Sequence, residues 1–350
     1  MIDKVFIVGF IVLSFYSFGQ DTDSTKRIKF LPVPSIGYSP ETRYYLGAVV
    51  LSTFSMDKHS RSSNAKIEFV YTWNQQMILD QEWNVFARKD RLFTQGLLHF
   101  SKYPDTYFGI GSDQQEEDAI SYQSKRFKLD GMLLWKPRDN WYLGGALRTV
   151  FYGDVSAEQQ QVTYAEITNA ATVGASAIAQ LDKRNSLLTP SKGYYVRLST
   201  SFNYSTSFYQ QLAIDARIYK ALLKKNKFVL SNRVLAVHSI GALPFFDLAA
   251  LGGDRIVRGY FYGRFRDQHM STFQSELRYT VYKWFGLAAF GGVSAVYSPP
   301  QKWDANFLKP NAGIGLRFRV DKNEGTNLRF DYAIGKDGQS GFYVSFGESF

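Results

Sequence analysis

The chain has no cysteine in its 350 residues. Disulfides and thiolate metal sites are thereby excluded. Histidine is scarce as well: His59, His99, His238 and His269 are scattered along the chain. They read as solvated or packed side chains, and no metal or other cofactor is expected. No run of about 18 uninterrupted apolar residues follows the N-terminus, so no spanning helix is predicted. Even "VLAVHSIGALPFFDLAAL" is broken by His238, Pro244 and Asp247. No segment carries a convincing helical stripe of apolar residues. "FGIGSD" lacks the strand–turn–helix context of a phosphate loop. A Ser-His or Asp-His pair at a barrel rim is the one hydrolase geometry that sequence leaves open. No catalytic residue and no small-molecule substrate is assigned, and the chain is read as not an enzyme.

Aromatic residues and positive charge are abundant. The chain has 23 Tyr and 29 Phe, and its net charge is +10. It starts "MIDKVFIVGFIVLSFYSFGQD". Lys4 precedes an apolar run from Val5 to about Phe18, too short to span a bilayer and suited to a signal-peptide core. Ser17 and Gly19 fall at the −3 and −1 places for cleavage before Gln20. Residues 1–19 are therefore expected to be a signal peptide, and 20–30 a short periplasmic segment.

From 31 to 350 the dominant period is two. In "AGIGLRFRV", Ala312, Ile314, Leu316, Phe318 and Val320 share one face, and Gly313, Gly315, Arg317 and Arg319 the other. In "NLRFDYAIG", Leu328, Phe330, Tyr332 and Ile334 oppose Asn327, Arg329, Asp331 and Ala333. In "TFQSELRYTV", Phe273, Leu277, Tyr279 and Val281 oppose Gln274, Glu276, Arg278 and Thr280. A soluble sandwich would bury its apolar faces in an aliphatic core. Here the polar faces hold arginines and carboxylates in mid-strand, and the apolar faces are rich in Phe and Tyr. That is the pattern of a membrane barrel, apolar toward lipid and polar toward a wet lumen. The fold class expected is all-β, a single transmembrane antiparallel β-barrel of about sixteen strands. An outer-membrane location follows, with outer-membrane lipid as the first partner.

The connections alternate in character. Short basic turns such as "RKDR", "KPRDN" and "LKKNK" interleave with longer ones at 103–119, 153–165, 240–270 and 298–308. Short periplasmic turns and long outer loops are the usual asymmetry. The last strand is expected over 342–350, with Phe342, Phe346 and the terminal Phe350 forming a C-terminal assembly signal. Glu348 interrupts its alternation near the membrane interface.

The longest non-alternating stretch of the second half holds "LGGDRIVRGYFYGRFRD", residues 251–267. Basic residues interleaved with aromatics look like a nucleic-acid surface. In an exported barrel they look instead like an outer loop, either exposed and flexible or folded inward, and no nucleic acid is expected. "GGDRIVRGY" resembles the VRGY/F motif of the BamA/TamA family in the outer membrane protein 85 superfamily. "DKRNSLLTPSKGYYVRL", 182–198, resembles that family's D-x-R…P-x-x-G turn and the strand after it. "GYSPETRYYLGA" resembles its barrel start, and "YPDTYFGIG" a recurrent outer loop.

The resemblance implies a barrel that takes part in insertion or translocation of proteins. Its alternative is a loop-plugged pore or a structural subunit of a larger complex. It implies that the motif Val257, Arg258, Gly259 and Tyr260 enters the lumen, with Arg258 held by carboxylates. Glu276 and Asp331, inward by phase, are the proposed partners. Ala288, Gly292 and Ser294 are small and make room for the loop. Arg264, outside the motif, is expected to matter much less. The sequence departs from the family in two places. Only about ten residues separate the expected cleavage site from the first strand, which leaves no room for POTRA domains. Periplasmic or outer-membrane protein partners are then expected in trans. In addition, the family's F-x-D-x-G strand reads Phe290, Gly291, Gly292, Val293, Ser294 here, without the acid.

Overall fold

A computed structural model describes residues 28–39, 43–73, 75–114, 119–157, 167–223, 227–299, 304–320 and 326–350. The expected signal peptide lies outside the described residues. The strands are β1 (Lys29–Ser39), β2 (Arg43–Phe54), β3 (Ser63–Thr72), β4 (Met77–Ala87), β5 (Leu92–Tyr107) and β6 (Ile120–Arg138). They continue as β7 (Trp141–Ala157), β8 (Ala170–Asp182), β9 (Gly193–Tyr204), β10 (Phe208–Ala221) and β11 (Phe228–Gly241). Two short strands follow, β12 (Ala249–Leu251) and β13 (Phe265–Asp267). The wall then resumes with β14 (His269–Tyr282), β15 (Phe285–Tyr297), β16 (Lys309–Arg319), β17 (Asn327–Gly335) and β18 (Ser340–Phe346).

All strands except β12 and β13 form one 16-stranded sheet in which each pairs antiparallel with its neighbour in sequence. Hairpin connectivity of this kind follows from the alternation itself, because each polar face must stay on the same side as its neighbour's. β1 and β18 come side by side at the ends of the sheet. Among the described residues no ladder joins them.

The two faces differ as the alternation requires. Outward positions such as Leu147, Phe202, Phe273, Ile314 and Tyr332 are exposed, whereas inward Arg233, Glu276, Arg317, Arg329 and Asp331 are buried. The apolar core therefore sits inside the barrel, where wall residues and the 242–268 connection both contribute. Phe245, Phe246 and Leu248 pack on Tyr107, Ile120 and Tyr122 of the wall. Val257, Tyr260 and Phe265 pack with Met270 and Val296. No helix among the described residues is long and apolar enough to cross a membrane.

The wall departs from the sequence reading at its ends. β5 runs on to Tyr107 and β7 to Ala157, so the outer connections after them are shorter than the pattern indicates. β18 stops at Phe346 instead of 350. Gly347 there adopts a φ of +79°, and its N–H donates to the Asn327 carbonyl at 2.8 Å. The chain turns off the strand and the last residues tuck inward.

Candidate functional site

The loop enters the lumen as a hairpin. β12 pairs with β13, Ala249 opposite Asp267 and Leu251 opposite Phe265. Between them lies the VRGY motif, with Val257 and Tyr260 fully buried. Gly259 has a φ of +101°, and a Cβ there would fall 2.8 Å from the Ile334 carbonyl of β17. Only glycine permits that backbone path so near the wall. Its N–H donates to the Tyr343 hydroxyl at 3.0 Å. The Tyr260 hydroxyl donates to the Pro310 carbonyl at 2.5 Å and accepts from the Lys336 N–H at 2.8 Å. Burial pushes the Tyr260 phenol up to about 12, so it stays a neutral donor over the physiological range.

Arg258 lies at the centre, its side chain 1% exposed. Nη2 donates to Glu276 Oε2 at 2.6 Å, and Nη1 to Asp331 Oδ2. The guanidinium lies over the Phe290 ring, 3.4 Å from its centroid. Both expected partners are brought together, one guanidinium bridging β14 and β17. Phe290, at the start of the stretch that lacks the family's acid, supplies a ring face instead. Gly315, paired with Asp331, carries no side chain where a Cβ would lie 1.9 Å from Asp331 Oδ1. The carboxylate can therefore lie flat across β16.

The lock belongs to a larger ionic cluster. Arg317 donates through Nη1 to Asp331 Oδ1 and through Nε to Glu348 Oε2, at 2.6 and 2.7 Å. Arg329 bridges Asp331 and Asp254 at 2.6 and 2.7 Å. Arg278 lies 3.3 Å from Glu276. Burial opposes ionisation of the Asp254 carboxyl, but Arg329 and then Arg258 outweigh it and hold the group below the usual carboxylate range. Desolvated charges are stable only when matched in this way. Arg319, expected inward with these arginines, is exposed at the end of β16.

A second anchor escaped the sequence reading. Asp247 enters that reading only as a break in an apolar run. Its side chain is 2% exposed and takes an ion pair from Arg148 of β7. It also accepts from Thr172 Oγ1 of β8 and the Tyr209 hydroxyl of β10, each at 2.6 Å. Gln211 donates to its main-chain oxygen at 3.1 Å. The loop is thus tied to two separate parts of the wall, β14–β17 through Arg258 and β7–β10 through Asp247. A buried carboxylate with no local partner is hard to see in sequence, because its donors lie 38 to 99 residues away.

Other expectations need correction. Arg264 is not peripheral: it is 4% exposed, donates to the Gln114 carbonyl at 2.7 Å, and lies over Phe108 and Phe265. Glu348 does not sit at the lipid interface, since its side chain is 2% exposed and bound to Arg317 inside the barrel. Of the C-terminal phenylalanines, Phe342 is exposed on the outer face and Phe346 is half-buried at the strand end. Phe350 is buried beyond the strand. Ala288 and Ser294 are buried on the inner face, and a Cβ on Gly292 would fall 3.0 Å from Gln274.

One array has the outline of a hydrolytic triad. His99 Nδ1 lies 2.5 Å from Asp80 Oδ1 and Nε2 lies 2.9 Å from Ser101 Oγ. Ser101 is 1% exposed, which leaves its hydroxyl closed to a substrate. The three residues form a satisfied network in the lumen wall.

Residues 48–350 match the Omp85 superfamily domain. No curated protein matches the chain. Among solved structures, BamA from Haemophilus ducreyi lacking POTRA domains 1-3 is similar at 15% identity with a TM-score of 0.57. That similarity covers 92% of this chain and 70% of that one. CdiB from Acinetobacter baumannii is similar at 11% identity, TM-score 0.58, over 91% of this chain and 65% of that one. CdiB from Escherichia coli gives 10% and 0.58, over 91% and 61%. The chain spans less than two thirds of either CdiB chain, and at these identities the likeness is one of fold. With the domain match over most of its length, the chain belongs to the Omp85 superfamily, and its barrel fold implies an outer-membrane location.

Proposed function

We propose that this barrel inserts or translocates polypeptide chains at the outer membrane, with periplasmic partners supplied in trans. The observation that carries this reading is the unladdered seam between β1 and β18 among the described residues. Two strand edges without partners present donors and acceptors that a client strand can pair with. Pro32 and Pro34, at positions of the same parity, remove donors from one edge of β1. Superfamily membership and the VRGY lock support the reading. The test is site-specific photo-crosslinking in native outer membrane, from Leu31 on β1, Phe342 on β18 and, as control, Val173 on β8. Protein adducts at the two seam positions and none at Val173 are expected. Adducts to lipid alone at all three positions would remove the proposal.

A plugged conduit is the second reading. It is favoured by the double anchorage of the loop, which is tied to two separate parts of the lumen wall.

A further inference from the structure

The end of the barrel that carries Phe350 holds basic turns, whereas the 73–76 and 205–207 connections at the opposite end carry no charge. Some cations at the basic end have carboxylate partners. Arg61 pairs with Asp90 at 3.1 Å, Lys136 with Asp139 at 3.4 Å and Arg184 with Asp182 at 2.8 Å. Lys220, Lys227 and Lys283 are exposed and pair with no carboxylate among the described residues.

These three lysines are neighbours in the fold. Lys220 is the next-to-last residue of β10, Lys227 directly precedes β11, and Lys283 sits in the turn after β14. The Thr280 N–H donates to the Lys227 carbonyl at 2.8 Å, which fixes the two turns side by side. The outer face of the wall beside these turns carries a run of aromatic rings. Phe228 and Tyr279 have centroids 4.7 Å apart, and Trp284 contacts Tyr282, Phe285 and Phe318 at 6.3, 5.9 and 6.2 Å. Trp284 is 54% and Tyr282 58% exposed. Tyr and Trp rings, each with one polar end, next to turns that carry flexible lysines suit the boundary between acyl chains and headgroups.

We propose that Lys220, Lys227 and Lys283, with Trp284 and Tyr282, form a binding site for the headgroup of an anionic phospholipid in the periplasmic-facing leaflet. The phosphate takes the ammonium groups, the indole and phenol lie at headgroup depth, and the acyl chains follow the outer face of β11, β14 and β15. An acidic protein segment satisfies the charge but not the aromatic belt, which faces the hydrocarbon boundary. The site rests on the outer-membrane barrel reading.

The experiment uses the full mature chain folded into phosphatidylcholine vesicles or nanodiscs with and without phosphatidylglycerol, followed by native mass spectrometry of retained lipid. The wild-type protein retains phosphatidylglycerol over phosphatidylcholine. Each lysine contributes roughly fivefold at low salt, so Lys220→Gln/Lys227→Gln/Lys283→Gln brings the two lipids near parity. A control, Lys89→Gln/Lys183→Gln/Lys192→Gln, removes equal charge from the same end and leaves the preference in place. The site is refuted if the first triple variant keeps the preference or if the control loses it equally. Displacement of phosphatidylglycerol by 10 mM inorganic phosphate (about a hundred times a sub-millimolar site) identifies a free-phosphate site and overturns the lipid assignment. Binding of poly-glutamate, lost in the first triple variant while neither lipid is preferred, identifies a protein surface and does the same. Failure of the chain to insert into any vesicle overturns the barrel reading, and this proposal with it; insertion without lipid preference overturns this proposal alone.

Discussion

At the scale of single residues, Arg258 has the most to lose. Its guanidinium serves Glu276, Asp331 and the Phe290 face at once. Arg258→Ala leaves Glu276 and Asp331 short of one cation in a desolvated cluster, at a cost of about 3–5 kcal/mol. Limited proteolysis of the folded barrel reads this as faster cleavage within 252–263. Arg258→Lys recovers only part, because an ammonium cannot fork between two carboxylates on different strands. Unchanged cleavage in the alanine variant would mean that the loop is held by other contacts. Glu348 gives a pH prediction. Burial works against its ionisation, but Arg317 and then Arg278 outweigh it and hold the carboxyl below the usual range. A carboxylate with a lowered folded pKa contributes fully above its unfolded value of about 4.3 and loses that contribution as pH falls through the folded value. The C-terminal residues should therefore loosen as the medium is acidified below pH ~4. Glu348→Gln should flatten that acid dependence, measured by hydrogen exchange at 347–350.

At the scale of elements, the strands were largely legible and the ionic contacts only in part. Period-two alternation places a strand on its face without knowledge of its neighbours, so Glu276 and Asp331 could be phased inward from local sequence. Strand ends were less legible, because alternation continues past the point where the backbone leaves the ladder. "GFYVSFGESF" alternates to Phe350, yet Gly347 turns the chain inward and buries Glu348 and Phe350. Asp247 stayed hidden because its donors come from β7, β8 and β10, a relation fixed by the loop's entry into the lumen and not by local pattern. The terminal phenylalanine is proposed to act as an assembly signal, and its burial adds a packing role. Deletion of Phe350 should lower the folded amount in the membrane. Phe350→Leu separates the two roles: it fills much of the same space, so refolding in detergent should stay near wild type. If the aromatic ring is read during assembly, the cellular yield should still fall. Equal yields in both settings would leave packing alone.

At the scale of the whole molecule, the outward apolar faces and the inward charges make sense only in a bilayer. The protein should fractionate with the outer membrane and migrate faster on unheated than on heated gels; recovery as soluble periplasmic material would contradict the barrel.

The loop then decides between a sealed barrel and a conduit. It is tied at Arg258 to β14 and β17 and at Asp247 to β7, β8 and β10, so freeing one tie leaves the other. Cutting both should act more than additively on the lumen, since residues that share one rigid segment are coupled. In planar bilayers the wild-type barrel should conduct little. Asp247→Ala and Arg258→Ala should each give brief openings, and the double variant a sustained one. Seam crosslinks to protein should persist in Asp247→Ala, whose site lies on the wall away from β1 and β18. If the double variant stays closed, the remaining contacts of Tyr260, Arg264 and the β12–β13 hairpin hold the plug without either ion lock. The charged anchors would then serve to position the loop during folding instead of keeping it in place.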